Sequence, residues 1–313
     1  MDRRKHMITR RQFAITAAGF AAGLAISRDR KGWAQRPPIR VAVSMDTLAG
    51  ANVNDARAAF RVWGEELAQR LAMRHAEMAN EVFIPSAQLI HMIRQGEVDC
   101  FALTALEYAS VTDFLDPNYA LIENYAVNGM EYFLLVPTNS PYKKIEDLKG
   151  TKLLLQHHRD TAMMRTWLSI ALANVGCPDV EQFFDSPEMH EQIPQVILPV
   201  FFHKAQAAAI SRRAFDMAVE LNPQLGRELR VIATSPKVIP DGFWFRKGCD
   251  IEDARAFQQS VLRLDSIPSG RQVLALYQST GFVQRSCSIM NATVDLIHQY
   301  QRIHKRNSTK QSG

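Results

Sequence analysis

The run His157-His158-Arg159-Asp160-Thr161 holds the densest set of reactive side chains in the chain. Two kinds of chemistry are open to it. Imidazoles and a carboxylate can ligate a metal, whereas a guanidinium and a hydroxyl can hold an anion, the guanidinium through a two-pronged contact. Neighbouring histidines on an extended loop point apart, so a metal would need a further ligand such as Glu107 or His203, and nothing in the sequence brings either one close. Ser44 and Ser211 are single hydroxyls, and nucleophilic catalysis by either would need a positioned base. No G-x-S-x-G, H-E-x-x-H or P-loop pattern occurs, and no cofactor is expected. Tyr108 and Tyr125 could stack on a planar ligand, although tyrosines with such neighbours more commonly fill half-buried core.

The elements around the run decide what it faces. Lys152-Leu153-Leu154-Leu155 reads as a buried parallel strand. Met164, Leu168, Leu172 and Val175 form one helical stripe over 162–175, and Gly176 is a stop. The run is thus an exit loop at the carboxyl end of a strand, where open α/β sheets bind ligands and where a helix start offers amides and a positive dipole end. Asp160 reads as an N-cap and would compete with an anion for those amides.

Charge and cysteines narrow the class. The 313 residues carry a formal charge of +5. Residues 1–34 hold eight basic residues against two acidic, which leaves 29 against 30 in the remainder and a body of −1. A body without basic excess argues against nucleic-acid binding. Cys100, Cys177, Cys249 and Cys287 are dispersed without a C-x-x-C pair, so a zinc or dithiol motif is not expected, while a disulfide stays open. Thr9-Arg10-Arg11-Gln12-Phe13 followed by an Ala/Gly-rich apolar run looks like a twin-arginine export signal, with cleavage after Ala34. The remainder is then expected in the periplasm; an uncleaved anchor is the alternative.

From Ile39 the pattern is βαβαβα: strands at 39–43, 81–84 and 98–103, with helices over 52–74, 86–95 and 104–111. This order predicts a parallel sheet wound by right-handed crossovers. Strand-like runs follow at 120–122 and 132–136, and Pro137-Thr138-Asn139-Ser140-Pro141 breaks the pattern as a crossing between lobes would. Further on, 182–184, 206–210 and 229–233 read as strands, 189–204 as a helix kinked by Pro194 and Pro199, and everything from Asp250 as helices. A second crossing is expected at 234–242. The segments 96–104 and 203–211 align without gaps: each is a helix end, a small-residue strand and a hydroxyl, Thr104 or Ser211, opening a helix.

The chain resembles periplasmic solute-binding proteins of the phosphate/phosphite/phosphonate-binding family, receptors of ABC importers. The resemblance lies in the opening strand 39–43, in Gly96-Glu97-Val98-Asp99 between a helix and a strand, in Asp147-Leu148-Lys149-Gly150, and in the strand 229–233 ending at Ser235-Pro236. It implies a two-lobed type 2 α/β fold. Residues 38–130 with 236–305 would form one lobe and 131–235 the other, behind a signal peptide at 1–34 and ahead of a disordered tail at 306–313. It further implies a cleft lined by Ser44, Met45 and Asp46; by Thr104, Glu107 and Tyr108; by His157, His158, Arg159 and Thr161; and by Ser211 and Arg212. At the third junction a Ser/Thr run is usual in phosphonate binders, and here Arg159 would supply the anion contact instead. The expected protein is a monomeric, non-enzymatic receptor for a small, anionic, phosphonate-like solute. Its partner is a membrane permease, or alternatively a membrane sensor kinase; a periplasmic metal-dependent enzyme is the third reading.

Overall fold

A computed structural model describes residues 39–48, 51–70, 78–177 and 179–311. The expected signal peptide lies outside them. Eleven strands are described: β1 Val41–Ser44, β2 Met78–Ile84, β3 Cys100–Thr104, β4 Leu115–Glu123, β5 Tyr132–Pro137, β6 Leu153–Gln156, β7 Glu188–His190, β8 Ala207–Ser211, β9 Leu229–Thr234, β10 Asp241–Arg246 and β11 Phe282–Arg285. The helices are α1 Val53–Arg70, α2 Ser86–Gln95, α3 Ala105–Val111, α4 Met164–Ala173, α5 Val180–Phe183, α6 Ile193–Phe201, α7 Arg212–Leu221, α8 Pro223–Glu228, α9 Ile251–Leu262, α10 Pro268–Leu276 and α11 Asn291–Gln311.

The strands form two sheets of one plan, β2-β1-β3-β10-β4-β11 and β7-β6-β8-β5-β9. In each, a parallel trio is followed by an antiparallel strand beside its third member: β10 lies against β3, and β5 against β8. The gapless echo in the sequence therefore marks equivalent strands, β3 and β8. Both are buried at all five positions, as strands covered on both faces must be. Phe101 and Leu103 of β3 point into one apolar layer and Cys100 and Ala102 into another, the two-residue alternation of a strand.

Two straps join the sheets, 124–131 from β4 to β5 and 235–240 from β9 to β10. They lie side by side. Met130 and Val238 exchange backbone bonds of 2.7 and 3.0 Å, and the Ser235 hydroxyl accepts from the Tyr132 amide at 2.8 Å. Gly129 has φ +82°, and a Cβ there would meet the Lys237 Cβ at 2.6 Å, so the close approach of the straps needs glycine. The first strap thus precedes β5, and the break at Pro137-Thr138-Asn139-Ser140-Pro141 lies beyond the strand, already within the second sheet's connections. Helix α11 packs on α3 beside the first sheet and on α4 beside the second, and one apolar cluster runs from Phe101 through Tyr132 and Trp167 to Ile297.

Other differences have local causes. Residues 182–184, read as a strand, belong to the end of α5 because Asp179 accepts from the Glu181 and Gln182 amides and starts a helix. The strand of that region is β7, which overlaps the start of the stretch read as helical. β11 interrupts the all-helical reading after Asp250, as a partly exposed strand paired only with β4. Helix α11 reaches Gln311, past the start of the tail expected to be disordered. The four cysteines are free.

The Gly96-Glu97-Val98-Asp99 signature is structural. Gly96 closes α2 in the left-handed region, at φ 72°. Asp99 accepts from Arg40 Nε at 2.8 Å and Nη2 at 2.9 Å, and from Arg246 Nη2 at 2.8 Å, so it ties the entry of β1 to the end of β10. Burial alone would raise the Asp99 carboxyl, but the bonds from Arg40 and Arg246 hold it below the usual carboxylate range. A depressed folded pKa gives stability that is full above the unfolded value and lost as pH falls through the folded one. Asp99→Asn should therefore lower the urea midpoint at neutral pH and flatten its decline on acidification below about pH 4, relative to wild type. Gly270, in the helix that ends beside Tyr277, would place a Cβ 2.2 Å from the Leu264 carbonyl oxygen. Gly270→Ala should cost about 1–3 kcal/mol in the same titration.

Candidate functional site

The first sheet ends along one edge in four neighbouring tips. Ser44 ends β1, Thr104 ends β3, Asp241 begins β10 opposite Thr104, and Glu123 ends β4. Thr104 caps α3: its hydroxyl accepts from the Glu107 amide at 3.4 Å, and Glu107 Oε2 accepts from the Thr104 amide at 2.7 Å. Glu107 also accepts from the Thr104 hydroxyl at 2.9 Å and from the Ser44 hydroxyl. This buried carboxylate is thus held by neutral donors. Asp46, exposed on the turn Met45–Leu48, has its carboxyl raised by partial burial and by Glu107. Met45 beside it is exposed.

The second sheet contributes the tips of β6 and β8. Gln156 Oε1 accepts from the Ser211 amide at 2.9 Å and links them. Ser211 caps α7 through the Ala214 amide at 3.2 Å. The run 157–161 folds as a tight turn, in which the Thr161 hydroxyl accepts from the His158 amide at 3.0 Å. Helix α4 begins only at Met164, with Met163 at the cap position, so Asp160 is not its N-cap. His157 is exposed and His158 half-buried. Among the described residues no group of three His, Cys, Asp or Glu is placed to hold a metal.

Arg159 crosses from this turn to the first sheet. Its side chain is 3% exposed. Nη1 and Nη2 form a two-pronged bond to Glu123 at 2.6 and 2.8 Å, Nη1 also meets Asp241 at 3.2 Å, and Nη2 meets the Tyr125 hydroxyl at 2.6 Å and the Tyr277 carbonyl. The guanidinium lies 4.9 Å from the Tyr277 ring centroid and 5.6 Å from that of Tyr125. Burial alone would lower its pKa; Asp241 and Glu123 more than offset this and keep it charged. Arg213 makes the same crossing from α7, stacking on Tyr125 at 4.4 Å and donating to the Gln278 carbonyl at 3.3 Å. The turns Met45–Leu48 and Arg159–Thr161 touch, so the lobes are closed on each other here.

Ser44, Asp46, Thr104 and Glu107 therefore come together, and the turn bearing His157 and His158 meets the same edge. Others part from it. Tyr108 is core, its ring 4.8 Å from that of Trp244, and burial raises its hydroxyl. Arg212 pairs with Glu131 at 2.9 Å and stacks on Phe133 at 5.7 Å rather than facing the first lobe. Arg159 faces carboxylates, a correction to its reading as an open anion donor, and the Thr161 hydroxyl is used within its own turn. Of the pair Arg212-Arg213, sequence reasoning expects one to reach the ligand and places Arg212 in the cleft lining. It gives no site role to Glu123, Asp241 or Tyr277. Their only signal is that Glu123 and Asp241 flank the straps.

Two similar lobes, two adjoining straps and loops meeting at strand tips define a two-lobed binding protein. The model of the family described as "ABC transporter, phosphonate, periplasmic substrate-binding protein" matches residues 49–288, and the chain belongs to this family. It is accordingly a periplasmic substrate-binding component of an ABC transporter. Among solved structures, XAC2383 from Xanthomonas citri bound to ATP is similar with TM-score 0.60 and 16% identity, over 86% of this chain and 99% of that one. A binding protein component of an ABC phosphonate transporter from Pseudomonas aeruginosa follows with 0.55 and 14%, over 87% and 89%. PhnD1 from Prochlorococcus marinus in complex with methylphosphonate gives 0.50 and 15%, over 87% and 98%. At these identities the likeness shows the fold. No curated protein matches the sequence.

The pairing of Arg159 yields a prediction opposite to that for a ligand contact. Removing one partner of a buried ion pair strands the other, at about 3–5 kcal/mol. Arg159→Ala should lose that much in urea unfolding of the solute-free protein; an unchanged midpoint would show the cluster to be energetically idle.

Proposed function

We propose that this receptor captures a small phosphonate-like anion between its lobes and releases it unaltered to a membrane permease. The family match supports the solute class, and the similar fold of PhnD1, which holds methylphosphonate, adds to it. The observation that carries the reading is the meeting of strand tips from both sheets at one closed junction, where the turn Met45–Leu48, beside Ser44, Thr104 and Glu107, touches the turn Arg159–Thr161 that follows His157 and His158. Contacts from these residues, together with the α7 start at Ser211 and exposed Met45, form the proposed cleft. The membership of the two sheets supports lobe limits of 38–130 with 236–305 and of 131–235. The export signal belongs to this reading, with the twin-arginine route as its finer form, as does a monomeric state. The closed form is the binding-competent one: the solute binds it in preference to the open form.

One observation refines the solute. Asp46 and Glu107 lie together at the tip of the first sheet, so the first lobe offers carboxylates to the junction. A solute carrying a positive or hydrogen-donating group beside its anionic end would fit that wall better than a bare anion.

Calorimetric and thermal-shift titration of the purified chain should separate these readings. Methylphosphonate and an aminoalkylphosphonate should both raise the melting point, the amino compound more, with stabilisation of about 2.7 kcal/mol at a hundredfold excess over Kd. Response to carboxylates or sulfonates alone would reassign the solute. Turnover of any of them would remove the receptor reading.

A further inference from the structure

Arg159, on a turn of the second lobe, and Arg213, on α7 of the same lobe, spend their guanidinium groups on residues of the first lobe and its strap. We propose that Arg159, with Arg213 as its second, latches the two lobes closed by contacts within the chain, so that closure does not wait for a solute. This goes beyond the solute reading and rests only on the two-lobed fold.

Three observations carry it. The first is where the latch engages. Glu123 is the last residue of β4 and Asp241 the first of β10, the two points at which the straps leave the first sheet. Arg159 rides on the second sheet's turn, so its bonds to both residues cross from one sheet to the other. The second is the quality of the contact. The two-pronged bond at 2.6 and 2.8 Å is shielded from water, with side chains of Arg159 and Glu123 each 3% exposed, and two tyrosines cover the guanidinium. Opening exchanges this bond for separate hydration of a cation and two carboxylates and uncovers both rings. The third is that the latch is not alone. Arg213 stacks on the strap residue Tyr125 and donates to Gln278, while α11 packs against both α3 and α4 and the apolar core is continuous between lobes. A receptor built to rest open would leave Arg159 to face water; here it is neutralised across the junction.

Small-angle X-ray scattering and amide hydrogen exchange on the full folded chain, stripped of solute by unfolding and refolding, test this. Solute-free wild type should scatter as the closed form, and adding methylphosphonate should leave the radius of gyration unchanged. The double variant Arg159→Met with Glu123→Gln removes the bond yet keeps the net charge of the Arg159, Glu123 and Asp241 group. It should scatter with a larger radius of gyration, and the amides of 157–161 and 277–281 should exchange about tenfold faster while those of β8 stay protected. Loss of β8 protection would mean unfolding. Arg159→Lys, which keeps the charge but loses the second prong, then takes its place, with faster exchange expected at the same two segments. Solute-free wild type that fits only separated lobes overturns the proposal, as does a folded variant indistinguishable from wild type. If neither variant folds, the wild-type scattering decides. These outcomes are independent of which solute binds, since no arm requires methylphosphonate to be a ligand.

Discussion

The junction depends on a buried charge that no single lobe could keep. A guanidinium taken out of water costs far more than one hydrogen bond returns, and only close carboxylates with good geometry offset that cost. Arg159 finds them in Glu123 and Asp241, at separations of 36 and 82 residues along the chain. The second sheet's turn is therefore placed by the first sheet's tips. Conversely, Glu123 and Asp241 would lie close at one sheet edge as like charges without the arginine between them. Each lobe leaves an electrostatic fault that the other repairs, and the pairing of lobes follows from this as much as from apolar contact.

The rest of the framework keeps that repair in register. The two straps are bonded to each other through Met130 and Val238, and Ser235 of the second accepts from Tyr132 where the first enters β5, so they form one band rather than two separate loops. The equivalent strands β3 and β8 reach the junction from opposite sides, and each ends in a hydroxyl that caps the next helix. Three of the five residues of β8 are alanine, and Ala207 and Ala209 let the shared cluster approach one face closely while Ala208 and Ile210 pack on α6 and α7 at the other. The tip of β8 is also fixed sideways by Gln156, so the Ser211 and Arg213 end of the second lobe holds its place relative to Arg159.

Much of this plan is legible in the sequence because it is local. Caps at Thr104 and Ser211, the stop at Gly96 and the repeated helix-end, strand and hydroxyl pattern all act within a few residues, and the echo correctly pairs β3 with β8. The run at 157–161 stands out by residue type, but its counterpart does not. From the sequence, an arginine at a loop-to-helix junction is an anion donor; its true partners lie on strands whose spatial neighbourhood no local pattern reports. The same reason hides β11, a short strand of mixed exposure that is defined only by pairing with β4. Arg212 and Arg213 show how little separates the two outcomes. Adjacent on the first turn of α7, one points to Glu131 and the other across the junction to Gln278, a choice set by helical phase.

A junction already tied by arginine changes what a solute has to do. In a two-state receptor the apparent affinity is the intrinsic affinity scaled by the fraction of molecules in the competent form. Where the chain's own ion pair favours closure, little of the solute's binding free energy goes into bringing the lobes together. Affinity then reports the fit of the seat itself. The same bias opposes release, because a closed receptor must be opened before it can deliver its cargo. The force for that opening has to come from outside the chain, and it must break the bond between Arg159 and Glu123, which crosses from one sheet to the other beside the straps.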